Sequence, residues 1–201
     1  MNKVVVFDLG NVLITWDRRL LFGQLIEDKD ELEWFLDNVF TMEANKDLDR
    51  GKSLAEVAAD VAQAHPKYRD TVMALAQRWT ETLGGPIEGT WQLLRELAEN
   101  GTRCIALSNW GADTFAMIED EYSEMFSSFE ALVISGREGV IKPDPAIFEL
   151  MCERHGFAPE EAVFIDDSPA NIAASVALGF DGMLFTSPEV LRQQLLERQL
   201  L

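Results

Sequence analysis

The stretch VVVFDLGNV, residues 4–12, decides how the rest of the chain is read. Val4, Val5, Val6 and Phe7 form a short apolar run of β-formers, closed by Asp8 and then Gly10. The pattern predicts a buried strand that breaks sharply at its C-terminal end. In an open α/β sheet, ligands gather at that end. A carboxylate there serves as nucleophile or metal ligand, or simply caps the turn. The strand ends downstream decide among these uses.

Beyond this run the character changes. Over residues 16–85 the periodicity is helical: Leu32, Phe35, Leu36, Val39 and Phe40 make one apolar face, and Tyr68, Val72, Leu75, Trp79 and Leu83 another, begun by Pro66. Ser53 and Glu56 have capping-box spacing. This block reads as an insertion closed by a hinge at Gly84-Gly85-Pro86. From residue 87 strands and helices alternate. Further strands are predicted at Cys104–Leu107, Ala131–Ile134, Val163–Ile165 and Gly182–Phe185. Helices are predicted around Trp91–Glu99 and from Pro145, Pro169 and Pro188. Alternation of this kind predicts an α/β fold with a Rossmann-like, doubly wound parallel sheet. The expected division is a core of 1–15 and 86–201 with an inserted helical cap of 16–85.

Composition sets the chemical limits. The 201 residues carry 17 basic and 35 acidic side chains, a net charge of −18, which argues against nucleic-acid or anionic-membrane surfaces as partners. A small anionic substrate needs positive charge supplied locally. Cys104 and Cys152 lack CxxC spacing and read as reduced core residues; His65 and His155 read as structural or surface groups. No signal peptide is expected before Val4, and no apolar run approaches the ~20 residues of a membrane span, so a cytoplasmic protein is expected. A monomer or homodimer fits the composition equally.

The predicted strand ends carry a consistent polar set: Asp8, Ser108-Asn109, Lys142 and Asp166-Asp167. In a parallel sheet these lie along one edge. Paired carboxylates suit Mg²⁺, a hard cation that prefers oxygen, while a hydroxyl, an ammonium and loop N–H groups suit a phosphate. With FDLGNV, LSN, IKPDP and FIDDSPANI in this order, the sequence resembles the haloacid dehalogenase-like (HAD) hydrolases.

The resemblance implies a hydrolase in which Asp8 attacks phosphorus to give an aspartyl-phosphate. Asp8, the Gly10 carbonyl and Asp167 would hold Mg²⁺, with Asp166 a ligand or its support and Asn171 ordering the metal's waters. Ser108 and Lys142 would act on the phosphate, with Asn11 and Asn109 beside it and Trp110 bordering substrate or cap. The expected partner is a small phosphorylated metabolite.

One position departs from the family pattern. Phosphatases of this superfamily usually carry a second aspartate two residues after the nucleophile, and here that residue is Gly10. A glycine there resembles the branch that includes α-glucose-1-phosphate phosphatases, whose sugar oxygen is a good leaving group. Asp17, Glu43 and Trp16 are candidates to face the site from the cap, although surface or core roles suit them as well. Two other readings stand beside this one: a 2-haloacid dehalogenase, whose halide leaves unprotonated and without metal, and a non-catalytic module that binds a phosphometabolite or a protein. Trp34, Trp79 and Trp91 fall on helical patterns and read as packing residues.

Overall fold

A computed structural model describes residues 3–201. It contains strands β1 (Val4–Phe7), β2 (Ile14–Trp16), β3 (Leu83–Pro86), β4 (Cys104–Ser108), β5 (Ala131–Ile134), β6 (Ala162–Asp166) and β7 (Asp181–Leu184). Five of them form one sheet in the order β5-β4-β1-β6-β7, with every neighbouring pair parallel. The chain steps outward from β1 through β4 to β5, then returns to the far side of β1 for β6 and β7. The order therefore reverses beside β1, which puts the crevice of a doubly wound sheet at the C-terminal ends of β1 and β6.

The apolar runs are continuous because both sheet faces are covered. Side chains alternate between faces: Val5, Phe7, Cys104, Ala106, Val163 and Ile165 join one buried cluster, while Val4, Val6, Ile105, Leu107, Ala162 and Phe164 join a second. Cys104 and Cys152 are free and buried. The helices run close to expectation, at Glu88–Glu99, Pro145–His155, Pro169–Ala177 and Pro188–Glu197. Gly101 and Gly156 follow the first two with φ of +77° and +67°, the left-handed conformation that ends a helix at little cost for glycine.

The inserted block holds helices Arg19–Leu25, Lys29–Asn38, Met42–Asp49, Leu54–Ala64 and Arg69–Arg78. Ser53 and Glu56 form the capping box in full. The Arg18 guanidinium donates to the carbonyls of Leu36 and Phe40, satisfying the end of the second of these helices. Phe22 packs against Phe35 and Phe40 with ring centroids 4.8 and 5.6 Å away. These rings belong to the same cluster as Phe7 and Val163, so the block and one face of the sheet share a core.

The block is not helical to its ends. Trp16 and residues 83–85, predicted as helix and hinge, lie in an antiparallel ribbon in which Ile14 faces Pro86, Thr15 faces Gly85 and Trp16 faces Leu83. Glycine and proline are poor strand formers, so LGGP gives no strand signal. The ribbon forms because β2 offers it a partner, and Gly84 admits it: a Cβ there would lie 3.0 Å from the Thr15 Cγ2.

Among the described residues no helix is long and apolar enough to cross a membrane. Truncating the ring at the centre of the block, Phe22→Ala, is expected to cost about 3–5 kcal/mol in denaturant unfolding. A cost under about 1 kcal/mol would mean that the shared core is not what holds the block.

Candidate active site

β1 ends directly before Asp8, and the turn that follows is held by its own backbone. Leu13 and Ile14 N–H groups donate to the Leu9 carbonyl, and Asn11 N–H donates to Ile14 O at 2.7 Å. Asn11 takes a left-handed φ of +54°, and its Oδ1 accepts from Trp16 N–H at 2.9 Å. Its amide oxygen thus fastens the turn to the ribbon. Gly10 sits over open space: a Cβ there would touch nothing within 4 Å.

Lys142 is 2% exposed, and its ammonium ends beneath the Asp8 carboxylate. It donates to Leu107 O at 2.8 Å and Asp166 Oδ2 at 2.6 Å, and lies 3.0 Å from Asp8 Oδ1. An ammonium has three N–H donors, and two of them are spent on Leu107 and Asp166. Lys142 is thus ion-paired with Asp8 as well as with Asp166. Asn109 fixes the lysine's backbone from both sides, donating to Lys142 O at 2.9 Å and accepting from Lys142 N–H at 2.8 Å. Its side chain too is committed within the protein.

Asp166 is fully buried and saturated: Oδ1 accepts from Ser168 N–H at 2.8 Å, and Asn171 Nδ2 lies 3.0 Å from both oxygens. Asn171 thus orients Asp166. Asp167, next along the chain, is exposed. One oxygen each of Asp8, Asp166 and Asp167 lie within 4.8 Å of one another. Three carboxylates against one ammonium leave excess negative charge, and an all-oxygen donor set suits a hard divalent cation. Because both oxygens of Asp166 are already engaged, Asp8 and Asp167 are the carboxylates left to hold one.

Burial raises the Asp8 carboxyl to about 7, with the Lys142 ammonium opposing and Asp166 adding to the rise. The same two carboxylates outweigh burial at Lys142 and hold its ammonium protonated. Both close contacts to Asp8, from Lys142 and from Leu9 N–H at 2.7 Å, fall on Oδ1. Ser108 lies beside Asp8 and weakly favours its charged form, yet its buried Oγ has no hydrogen bond of ordinary geometry. A buried hydroxyl without a firm partner is costly, so this one is free to turn toward an acceptor beside Asp8.

Trp110 is 5% exposed and packs between Trp79 of the helical block and Phe115, centroids 5.8 and 5.9 Å away. Trp79 and Trp110 thus join the block to the sheet edge. Asp17 accepts from Arg19 N–H, Glu43 pairs with Lys46 and Arg50 on the surface, and Trp16 lies half-buried in the ribbon.

Two residues that the sequence did not single out also sit at this edge. The Ser135 hydroxyl donates to Asp49 O at 2.7 Å and accepts from Trp110 N–H at 3.0 Å. Asp49, 8% exposed, is raised to about 7 by burial. In the run DLDRG nothing distinguishes this aspartate from its neighbours.

The residues 2–179 match the family model of haloacid dehalogenase-like hydrolases, and the chain belongs to that family. A sesquiterpene phosphatase of Aspergillus oryzae is 26% identical over 92% of this chain and 90% of its own. A HAD family enzyme of Bacteroides thetaiotaomicron, solved with magnesium and inorganic phosphate, superposes with a TM-score of 0.68 at 25% identity, covering 93% of this chain and 96% of that one. The L-2-haloacid dehalogenase of Xanthobacter autotrophicus, with chloropropionic acid covalently bound, shares the fold: TM-score 0.67, 20% identity, all of this chain and 85% of that one.

Asp8 and Asp49 both lie above the ordinary carboxyl value of 3.8, so the folded state holds their protons more tightly than the unfolded chain does. The stability this gives is complete below that value and is lost as pH rises through about 7. With divalent cations chelated, the melting temperature is expected to fall between pH 5 and 8. Asp49→Asn should melt higher than the unmodified protein at pH 8, with the gap closing at pH 5. Calorimetry showing no pH dependence, or a variant that melts lower at pH 8, would count against this.

Proposed function

We propose that the protein is a Mg²⁺-dependent phosphatase that hydrolyses a small phosphorylated metabolite through an aspartyl-phosphate. The observation that carries this reading is the acidic trio of Asp8, Asp166 and Asp167 gathered about the buried Lys142 ammonium. A dehalogenase, which expels halide without metal, has no use for such a trio.

In this reading Asp8 and Asp167, with the Gly10 carbonyl, hold the cation, which supplies positive charge to the phosphate oxygens. Lys142 fixes Oδ1 and leaves Oδ2 of Asp8 as the attacking oxygen. The Ser108 hydroxyl donates to a phosphate oxygen and so gains its missing partner. Residues 16–85 serve as a cap over a core of 1–15 and 86–201, excluding water and selecting the substrate.

The resemblance to a sesquiterpene phosphatase makes a prenyl phosphate as worthwhile a trial substrate as a sugar 1-phosphate.

The test is phosphate release over such a panel and halide release from 2-haloacids, each with Mg²⁺ and with chelator. Phosphate release is expected only with Mg²⁺ and should vanish in Asp8→Asn. Halide release that survives chelation would replace this reading with the dehalogenase one. Silence in both assays, with phosphate still bound, would favour a binding module.

A further inference from the structure

With glycine at position 10, the proposed reaction lacks a proton donor for the leaving oxygen. The acids nearest the nucleophile do not fill the gap. Asp166 is saturated by Lys142, Ser168 and Asn171, and Asp167 is the exposed oxygen donor left for the cation. Asp17 and Glu43 are occupied with Arg19, Lys46 and Arg50.

Asp49 differs from all of these. It ends helix Met42–Asp49, and that helix end is pressed onto the loops that follow β4 and β5. The Ser135 hydroxyl bridges the Asp49 carbonyl to Trp110 N–H, two residues past Ser108. Close approaches of backbone to backbone fix the same contact: a Cβ on Gly111 would lie 3.3 Å from Leu48 O, and one on Gly51 3.0 Å from Gly136 O.

The buried Asp49 carboxylate receives, among the described residues, one long hydrogen bond, from Asn45 Nδ2 at 3.3 Å. The Lys142 ammonium, 3.0 Å from Asp8, also acts on the charge of Asp49, as do Arg50 and Lys46. Asp49 thus stands where the helical block meets the loops that follow β4 and β5, the first of which begins directly after Ser108. Burial leaves both forms of Asp49 populated near neutrality, as a group that gives and takes a proton requires.

We propose that Asp49 is the general acid–base of this protein, standing in for the aspartate absent at position 10. The inference rests on the phosphatase reading. As Asp8 bonds to phosphorus, the ester P–O bond breaks, its electron pair goes to the leaving oxygen, and the Asp49 proton follows to give a neutral alcohol. Water then attacks the aspartyl-phosphate and gives its proton to Asp49. The P–O bond to Asp8 breaks with its electrons returning to the carboxylate, and hydrogen phosphate is released.

The experiment compares Asp49→Asn with the unmodified protein on benzyl phosphate and 4-nitrophenyl phosphate, with Mg²⁺ present. The two substrates are similar in size but differ in leaving group: benzyl alcohol departs only with a proton, and nitrophenolate departs without one. The readout is kcat/KM, which ends at formation of the aspartyl-phosphate and excludes its hydrolysis. A ratio of two substrates on one preparation is also independent of how much of it is folded. Asp49→Asn is expected to lose about 100-fold or more on benzyl phosphate and less than about tenfold on 4-nitrophenyl phosphate. Equal losses on both would assign Asp49 a structural role, and no loss on benzyl phosphate would exclude it as the acid; either overturns the inference. An unmodified protein that releases phosphate neither from these esters nor from the prenyl and sugar phosphate panel, with Mg²⁺ present, would instead defeat the phosphatase reading itself.

Discussion

A single ammonium organises the sheet edge. Lys142 donates to a carbonyl at the end of β4 and to a carboxylate at the end of β6, and lies against the carboxylate that follows β1. Three strands are thereby tied together at their C-terminal ends by one atom. An arrangement of this kind is a poor source of stability, because desolvating the charges offsets much of their attraction. Its value lies in placement. Asp8 cannot swing away without breaking a buried ion pair, and Asn109 holds the lysine's backbone in turn.

The sheet was legible because its physics is local. Val4–Phe7, Cys104–Ser108 and Ala131–Ile134 are short apolar runs that end in polar residues or a loop, and each forms a strand where that pattern lies. Parallel topology then brings Asp8, Ser108, Lys142 and Asp166-Asp167 to one edge without further information. Side-chain direction was not legible. Asn11 and Asn109 have amides able to meet either a ligand or the chain; the structure turns the Asn11 amide oxygen and both ends of the Asn109 amide to the chain. Asp49 and Ser135 escaped notice because their burial exists only once the helical block rests on the sheet, and no periodicity records that contact. The β2–β3 ribbon escaped for a similar reason, since LGGP is a strand only when paired.

The helical block and the sheet are less separate than the word insertion suggests. Phe22 and Phe35 belong to the same buried cluster as Phe7 and Leu94, and Trp79 meets Trp110 directly. Substitutions that reshape the block to admit a new substrate therefore act on the packing beneath the nucleophile as well.

The distance along the chain between Asp8 and Lys142 has a consequence for the order of folding. Asp8 follows the first strand, its lysine lies beyond the third strand of the sheet, and Asp166 ends the fourth. Contacts between segments so remote form late, because closing long loops precedes any reward for the pairing. Asp8 precedes its restraints in chain order, so no fragment short of β6 carries the assembled centre. The reactive carboxylate is fixed in place only when most of the chain has folded around it.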